Sequence, residues 1–179
     1  MNKIILTSIF AVIMLIGCSS DSDGGGASDV NVALSDNGAS IKIETETDDG
    51  QQEALEKIIT KENDREFANV RNSTIIVKFA ALETLNRVGL RINGGDGLFD
   101  IFSSGSFKIE LSPYGYNYKQ VATGTSTTTN GCSGGDIYNE YRNFCQYSLG
   151  DEEARYMRIT TNSSGTSFFL RAIEANAFK

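Results

Sequence analysis

Short runs of alternating or β-branched residues recur along this chain, separated by clusters of Gly, Asn and Ser. That rhythm constrains its fold more than any other feature. Phe107, Ile109 and Leu111 alternate with Lys108 and Glu110, the period-two pattern of a strand with one buried face. Ile41 and Ile43 alternate with Lys42 and Glu44 in the same way. Thr74 to Phe79 is a compact β-branched run, and Leu85, Val88, Leu90 and Ile92 give a second. Tyr156, Met157 and Ile159 sit in another, and Ser167 to Ile173 is the last. The breakers are Asn93-Gly94-Gly95-Asp96-Gly97, Ser103-Ser104-Gly105 and Asn162-Ser163-Ser164-Gly165, whose residue types favour turns. Gln51 to Lys61 departs from this pattern. Its Ala54, Leu55, Ile58 and Ile59 repeat at three- and four-residue spacing and predict a short amphipathic helix. Several strands with one early helix predict an all-β fold, an antiparallel β-sandwich. Pro113, the single proline, stands where a strand would end, because proline donates nothing to a ladder.

The first residues lie outside that rhythm. Lys3 precedes an apolar stretch from Ile4 to Ile16, and Gly17-Cys18 closes it. A charged start, an apolar run of this length and a small residue make a secretory signal. Ending on cysteine, it resembles the bacterial lipobox. The resemblance implies diacylglyceryl transfer to the Cys18 sulfur, cleavage before Cys18 and acylation of the new amine, for example by palmitate. The apolar run is shorter than the ~20 residues that a membrane-spanning helix needs. Ser19 to Asp29 is a Ser/Asp/Gly stretch that cannot bury surface and reads as a flexible tether. The expected organisation is a lipoprotein signal peptide over 1–17, a lipidated tether over 18–29 and one sandwich domain over 30–179. Ser19 follows the cysteine and Asp21 comes only two residues later. The expected address is therefore the outer membrane, on its periplasmic face or at the cell surface.

Charge and missing residue types exclude several functions. With 16 Lys and Arg against 23 Asp and Glu, the net charge is −7. No basic run is present to neutralise phosphates, so a nucleic-acid partner is not expected. An anionic membrane surface would attract nothing here, which leaves the N-terminal lipid to hold the membrane. The chain has no histidine and no tryptophan, which removes His-based nucleophile activation and His metal sites. Besides Cys18, Cys132 and Cys145 remain, an even pair in a chain read as exported. A disulfide between them would stabilise by about 3 kcal/mol through loop closure. Two free thiols or a metal pair are the competing readings, and two cysteines without histidine fall short of a zinc ligand set. Asp151, Glu152 and Glu153 read as a solvated turn before a strand. No Gly-x-Ser-x-Gly elbow and no phosphate-binding glycine loop occurs, and no residue is assigned as catalytic.

Three stretches carry a resemblance to a known fold family. Asn31-Val32-Ala33-Leu34, followed by the Ile41 run, looks like its opening. Ser112-Pro113-Tyr114-Gly115-Tyr116-Asn117-Tyr118 stands in the place of its Ser-x-Asp-Gly-x-x-Trp turn. Ala154-Arg155-Tyr156-Met157-Arg158-Ile159 is close to its Ala-Arg-Tyr-Val-Arg-Ile strand, and Phe168 to Glu174 follows as a terminal strand. Residues 30–178 thus resemble the galactose-binding-like jelly rolls: discoidin domains, coagulation-factor type C domains and related carbohydrate-binding modules. The resemblance implies sugar recognition by loops at one end of the sandwich. It also implies a structural calcium loop after the helix. Lys61 opposes a cation there, while Glu62 and Asp64 offer carboxylates. No cofactor is therefore expected, the alternative being calcium at Glu62 and Asp64.

Sugar binding needs an aromatic face and a few fixed polar groups. Tyr114, Tyr116 and Tyr118 alternate, so on an extended backbone they would face one side; packing on the sheet is the competing reading. Between Cys132 and Cys145 lie Tyr138, Tyr141, Arg142 and Phe144, aromatic and arginine side chains of the kind that dominate contact surfaces. Asp96 sits in a glycine-rich loop. Arg155 and Arg158 are an odd number apart and would face opposite sides of their strand. These residues suit a non-catalytic glycan-binding protein. The alternative is an envelope protein that contacts another protein in an assembly or secretion apparatus.

Overall fold

The computed structural model describes residues 29–44, 49–60, 68–92, 105–125, 132–133, 144–163 and 169–178. Cys18, Glu62, Asp64, Asp96, Tyr138, Tyr141 and Arg142 lie outside those residues. In chain order the elements are β1 (Asp29–Asn31), β2 (Ser40–Ile43), α1 (Asp49–Ile58), β3 (Ala68–Asn69), β4 (Thr74–Ile92) and β5 (Gly105–Ser112). They continue with β6 (Lys119–Thr125), β7 (Cys132–Ser133), β8 (Phe144–Ser163) and β9 (Phe169–Phe178). Every strand pairing is antiparallel, as the sandwich expectation requires.

Two long strands, β4 and β8, each serve both layers. From Thr74 to Lys78, β4 pairs with β2 on one side and with Tyr156–Thr160 of β8 on the other; β5 and β6 extend this first sheet. From Glu83 onward β4 pairs with the earlier part of β8 and with β9, while β1 and β3 add to β9 and β7 to β8. The register shifts between Lys78 and Glu83, where the ribbon bends from one sheet into the other. At the opposite end the sheets meet again. Asn69 pairs with Phe169 of the second sheet, and the next residue, Val70, accepts at its carbonyl from the Thr161 hydroxyl of the first. The sandwich therefore has a corner end, at the β4–β8 bend, and an opposite end, called the open end because no described strand runs from one sheet into the other there.

The inward faces follow the alternation read in the sequence. Ile75, Val77, Ile109, Met157 and Ile159 of the first sheet meet Leu85, Val88, Leu90, Leu170 and Ile173 of the second, all at 1% exposure or less. Each such side chain stabilises by roughly 1.5–3 kcal/mol through burial. The helix presents Leu55 and Ile58 to this core, joined by Ile59. It ends where the Thr60 N–H and hydroxyl both turn back to the Lys57 carbonyl.

Two adjacent glutamines fasten the helix to two different sheets. Gln52 Oε1 accepts from the Ile43 N–H at 3.0 Å, and its Nε2 donates to the Ile41 carbonyl at 2.9 Å. Gln51 Oε1 accepts from the Asn69 N–H at 2.8 Å. The side chains stand in for a further strand at both places and satisfy edge groups that would otherwise invite pairing. Asn31 plays a similar part near the chain ends. Its Oδ1 accepts from Ala33 N–H (3.1 Å) and Ala175 N–H (2.9 Å), while Nδ2 donates to the Ile173 carbonyl at 3.2 Å.

Several local expectations change. Thr74–Phe79 and Leu85–Ile92 form one bent strand, because Ala80-Ala81-Leu82 contains no breaker and the bend is absorbed as a register shift. Asp151-Glu152-Glu153 lies inside β8 and is no turn before it; Asp151 takes a left-handed φ of 55° and the strand runs on. β9 continues past Ile173 to Phe178. β1, β3, β6 and β7 are short or weakly patterned and give no clear periodic signal.

Candidate binding site

The turn between β5 and β6 is organised by one buried hydroxyl. Ser112 Oγ accepts from the N–H groups of Tyr114 (3.2 Å) and Gly115 (3.0 Å) and donates to the Tyr116 carbonyl at 2.6 Å. The turn thus needs no aspartate at position 114, because the preceding serine caps it. Gly115 has φ 84° and Asn117 φ 54°. At Gly115 a Cβ would lie 3.3 Å from the Tyr156 ring, so glycine answers both the backbone angle and the close approach.

These two left-handed residues break the extended geometry on which the tyrosine alternation was read. Tyr114 and Tyr116 stack on each other, with ring centroids 5.7 Å apart at 25°, and stand 68% and 63% exposed. Each ring spends one face on the other and offers the remaining face to solvent. Tyr118 separates from them. It is half-buried over Arg158, whose guanidinium carbon is 4.1 Å from its ring centre.

Arg158 also holds Glu110. Its Nε donates to Glu110 Oε2 at 2.7 Å, and Lys108 Nζ approaches Oε1 at 3.0 Å. Burial pushes the Glu110 carboxyl up, but the hydrogen bonds from Arg158 and Lys108 outweigh it and set its pKa below the ordinary 4.5. Burial raises the Tyr118 phenol, with Arg158 opposing. The lock on the outer face of the first sheet therefore comprises Glu110, Arg158 and Tyr118, and the first of these was not singled out from the sequence. A glutamate in the middle of a strand opposite an arginine is the signal that could have found it. Arg155, three residues away, is exposed.

The described candidate residues, Tyr114, Tyr116 and Phe144, divide between the two ends of the sandwich. Tyr114 and Tyr116 sit at the corner end, beside Tyr156. Phe144 is the first residue of β8 and pairs with Ser133 and Arg91 at the open end. The anchors of segment 134–143, which contains Tyr138, Tyr141 and Arg142, are Ser133 and Phe144, so both lie there. So does Ile92, after which segment 93–104 with Asp96 leaves β4. Roughly 25 Å of strand, at about 3.3 Å per residue, separates these anchors from the corner. Cys132 lies directly opposite Cys145 in the ladder, and Cys145 is buried. Glu110 and Glu152 are committed to ion pairs with Lys108, Arg158 and Lys119. Among the described residues no group of His, Cys, Asp or Glu is arranged to hold a metal ion.

No protein-family model and no curated protein sequence matches the chain. Solved structures do match in fold. The family 32 carbohydrate-binding module of Clostridium perfringens NanJ, in complex with galactose, superposes with a TM-score of 0.57 at 12% identity, covering 83% of this chain and 99% of that one. A chitosan-binding module of a Paenibacillus sp. IK-5 chitosanase/glucanase gives 0.54 at 18% identity, over 82% and 98%. The carbohydrate-binding module of AlyQ, in complex with 4,5-unsaturated mannuronic acid, gives 0.51 at 20% identity, over 76% and 92%. At these identities the likeness establishes the fold alone, the antiparallel β-sandwich that this chain shares with those modules.

Proposed function

We propose that this chain is a non-catalytic, lipid-anchored protein of the bacterial outer membrane that binds a glycan through loops at the open end of its sandwich. The observation that carries the reading is the shared fold with whole carbohydrate-binding modules, which the chain covers almost end to end. Asp96, Tyr138, Tyr141, Arg142 and Phe144 belong to segments anchored at one end and supply aromatic, cationic and carboxylate groups suited to sugar rings and hydroxyls. Cys18 carries the lipid, and residues 18–29 are the tether. A Cys132–Cys145 disulfide, favoured by their direct opposition in the ladder, closes the loop that bears most of these residues and preorganises it. Ion pairing of Glu110 and Glu152 favours binding over acid–base chemistry.

A glycan array followed by isothermal titration with the full chain tests the reading. A saccharide should bind, and Tyr138→Ala with Arg142→Ala should weaken it at least tenfold without shifting the melting temperature. Absence of any saccharide binding below millimolar concentration would overturn the glycan reading. One stable protein recovered by crosslinking in membranes would then favour a protein partner at the same loops.

A further inference from the structure

Among the described residues, the large apolar side chains that stand exposed are Leu82, Tyr114 and Tyr116, at 49%, 68% and 63%. Isolated exposed apolar residues are ordinary, but these three share one end of the sandwich. Leu82 is at the bend of β4, next to Glu83, which pairs with Ala154; Ala154 is two residues from Tyr156, on whose ring the Gly115 turn rests. Strand spacing places Leu82 about 10 Å from that ring. Ala80 and Ala81, also exposed, continue the apolar surface.

The same end is where the chain enters the fold. Lys119, which closes the tyrosine turn, is ion-paired to Glu152. Glu152 lies opposite Leu85, Leu85 opposite Ala177, and Ala177 opposite Val30. Residues 18–28, the lipid-bearing tether of the proposed function, therefore join the domain at the corner end.

From this juxtaposition we infer that the corner end is a membrane-contact face, with Tyr114, Tyr116 and Leu82 resting in the interfacial layer of the bilayer. Tyrosine suits that layer because its ring is apolar and its hydroxyl stays wet. The charges around the face are mixed: Lys78, Lys119 and Arg155 against Glu83, Asp151, Glu152 and Glu153. An anionic surface is not selected, and the matching partner is a zwitterionic one whose contact is insensitive to salt. Resting on this end points the open-end loops away from the membrane. The inference uses the lipid-anchor part of the proposed function and is independent of its glycan part.

Tyrosine fluorescence reports on it directly, because the chain has seven tyrosines and no tryptophan. Full-length protein is reconstituted into phosphatidylcholine vesicles, with and without phosphatidylcholine brominated near the headgroup, and floated on a density gradient. Floating protein should lose emission in brominated vesicles by about the share of two tyrosines in seven, equally at low and high salt. The loss should vanish with Tyr114→Ser plus Tyr116→Ser and persist with Tyr138→Ser plus Tyr141→Ser. Protein that floats with unquenched tyrosines, or whose quenching follows Tyr138 and Tyr141, overturns this inference alone. Protein that does not float overturns the anchor and this inference together.

Discussion

Arg158 lies over the Tyr118 ring, 4.1 Å from its centre, while the same side chain holds the buried carboxylate of Glu110 at 2.7 Å. One guanidinium thus joins the tyrosine that ends the exposed turn to the middle of the sheet. Arg158→Ala should lower stability by about 2–4 kcal/mol, since it leaves Glu110 with only Lys108 and removes the stacked cation. Arg158→Lys should recover part of this, because an ammonium keeps the charge but cannot stack as a plane. Urea unfolding of the two variants checks the order.

Acid should weaken the fold through Glu110. Its folded pKa lies below the ordinary 4.5, so its contribution is present above the unfolded value and is lost as pH falls through the folded one. The urea midpoint of the native chain should fall between about pH 6 and pH 3, and that fall should be smaller in Glu110→Gln. An identical slope in both would assign the acid sensitivity to other carboxylates.

Asn31→Ala should cost about 2 kcal/mol, because two N–H groups and one carbonyl lose their partner at once. Asn37→Ala removes one exposed hydrogen bond to the Asn31 carbonyl and should change stability by less than ~0.5 kcal/mol. Chemical denaturation separates the two.

Gly124→Ala should destabilise by about 1–3 kcal/mol through overpacking. A Cβ there would stand 2.6 Å from both a Phe107 ring carbon and the Tyr147 hydroxyl oxygen. Adding Tyr147→Phe should relieve part of the clash, so a double-mutant cycle should give a favourable coupling rather than simple additivity.

Where one face of a strand is buried, the sequence was legible. Phe107, Ile109 and Leu111 point inward as their alternation predicts, and Leu55 and Ile58 mark the core side of the helix. The bend at Ala80–Leu82 was not, because a strand that passes between sheets keeps its residue types and changes only its register. The short β1 and β3 were hidden for another reason: hydrogen bonds from Asn31 and Gln51 secure them, and side-chain hydrogen bonds leave no periodic trace. The tyrosine turn was found, but its geometry depends on Ser112 and on left-handed Gly115 and Asn117, so alternation misjudged where Tyr118 points. That Tyr114 and Tyr116 lie at the opposite end from Phe144 follows from pairings far apart in sequence, which spacing along one chain cannot reveal.

The junction of β1 with β9 also has a mechanical meaning. Force on the residues before Asp29 enters the domain through Asp29–Asn31, at the register Asp29–Phe178, Val30–Ala177 and Asn31–Asn176. Pulled outward, such a short antiparallel pair opens one rung at a time, and the last rung is the residue whose amide also clasps Ala33, Ile173 and Ala175. Asn31 is therefore a stop: a load can peel off the first two residues while the sandwich behind it stays shut.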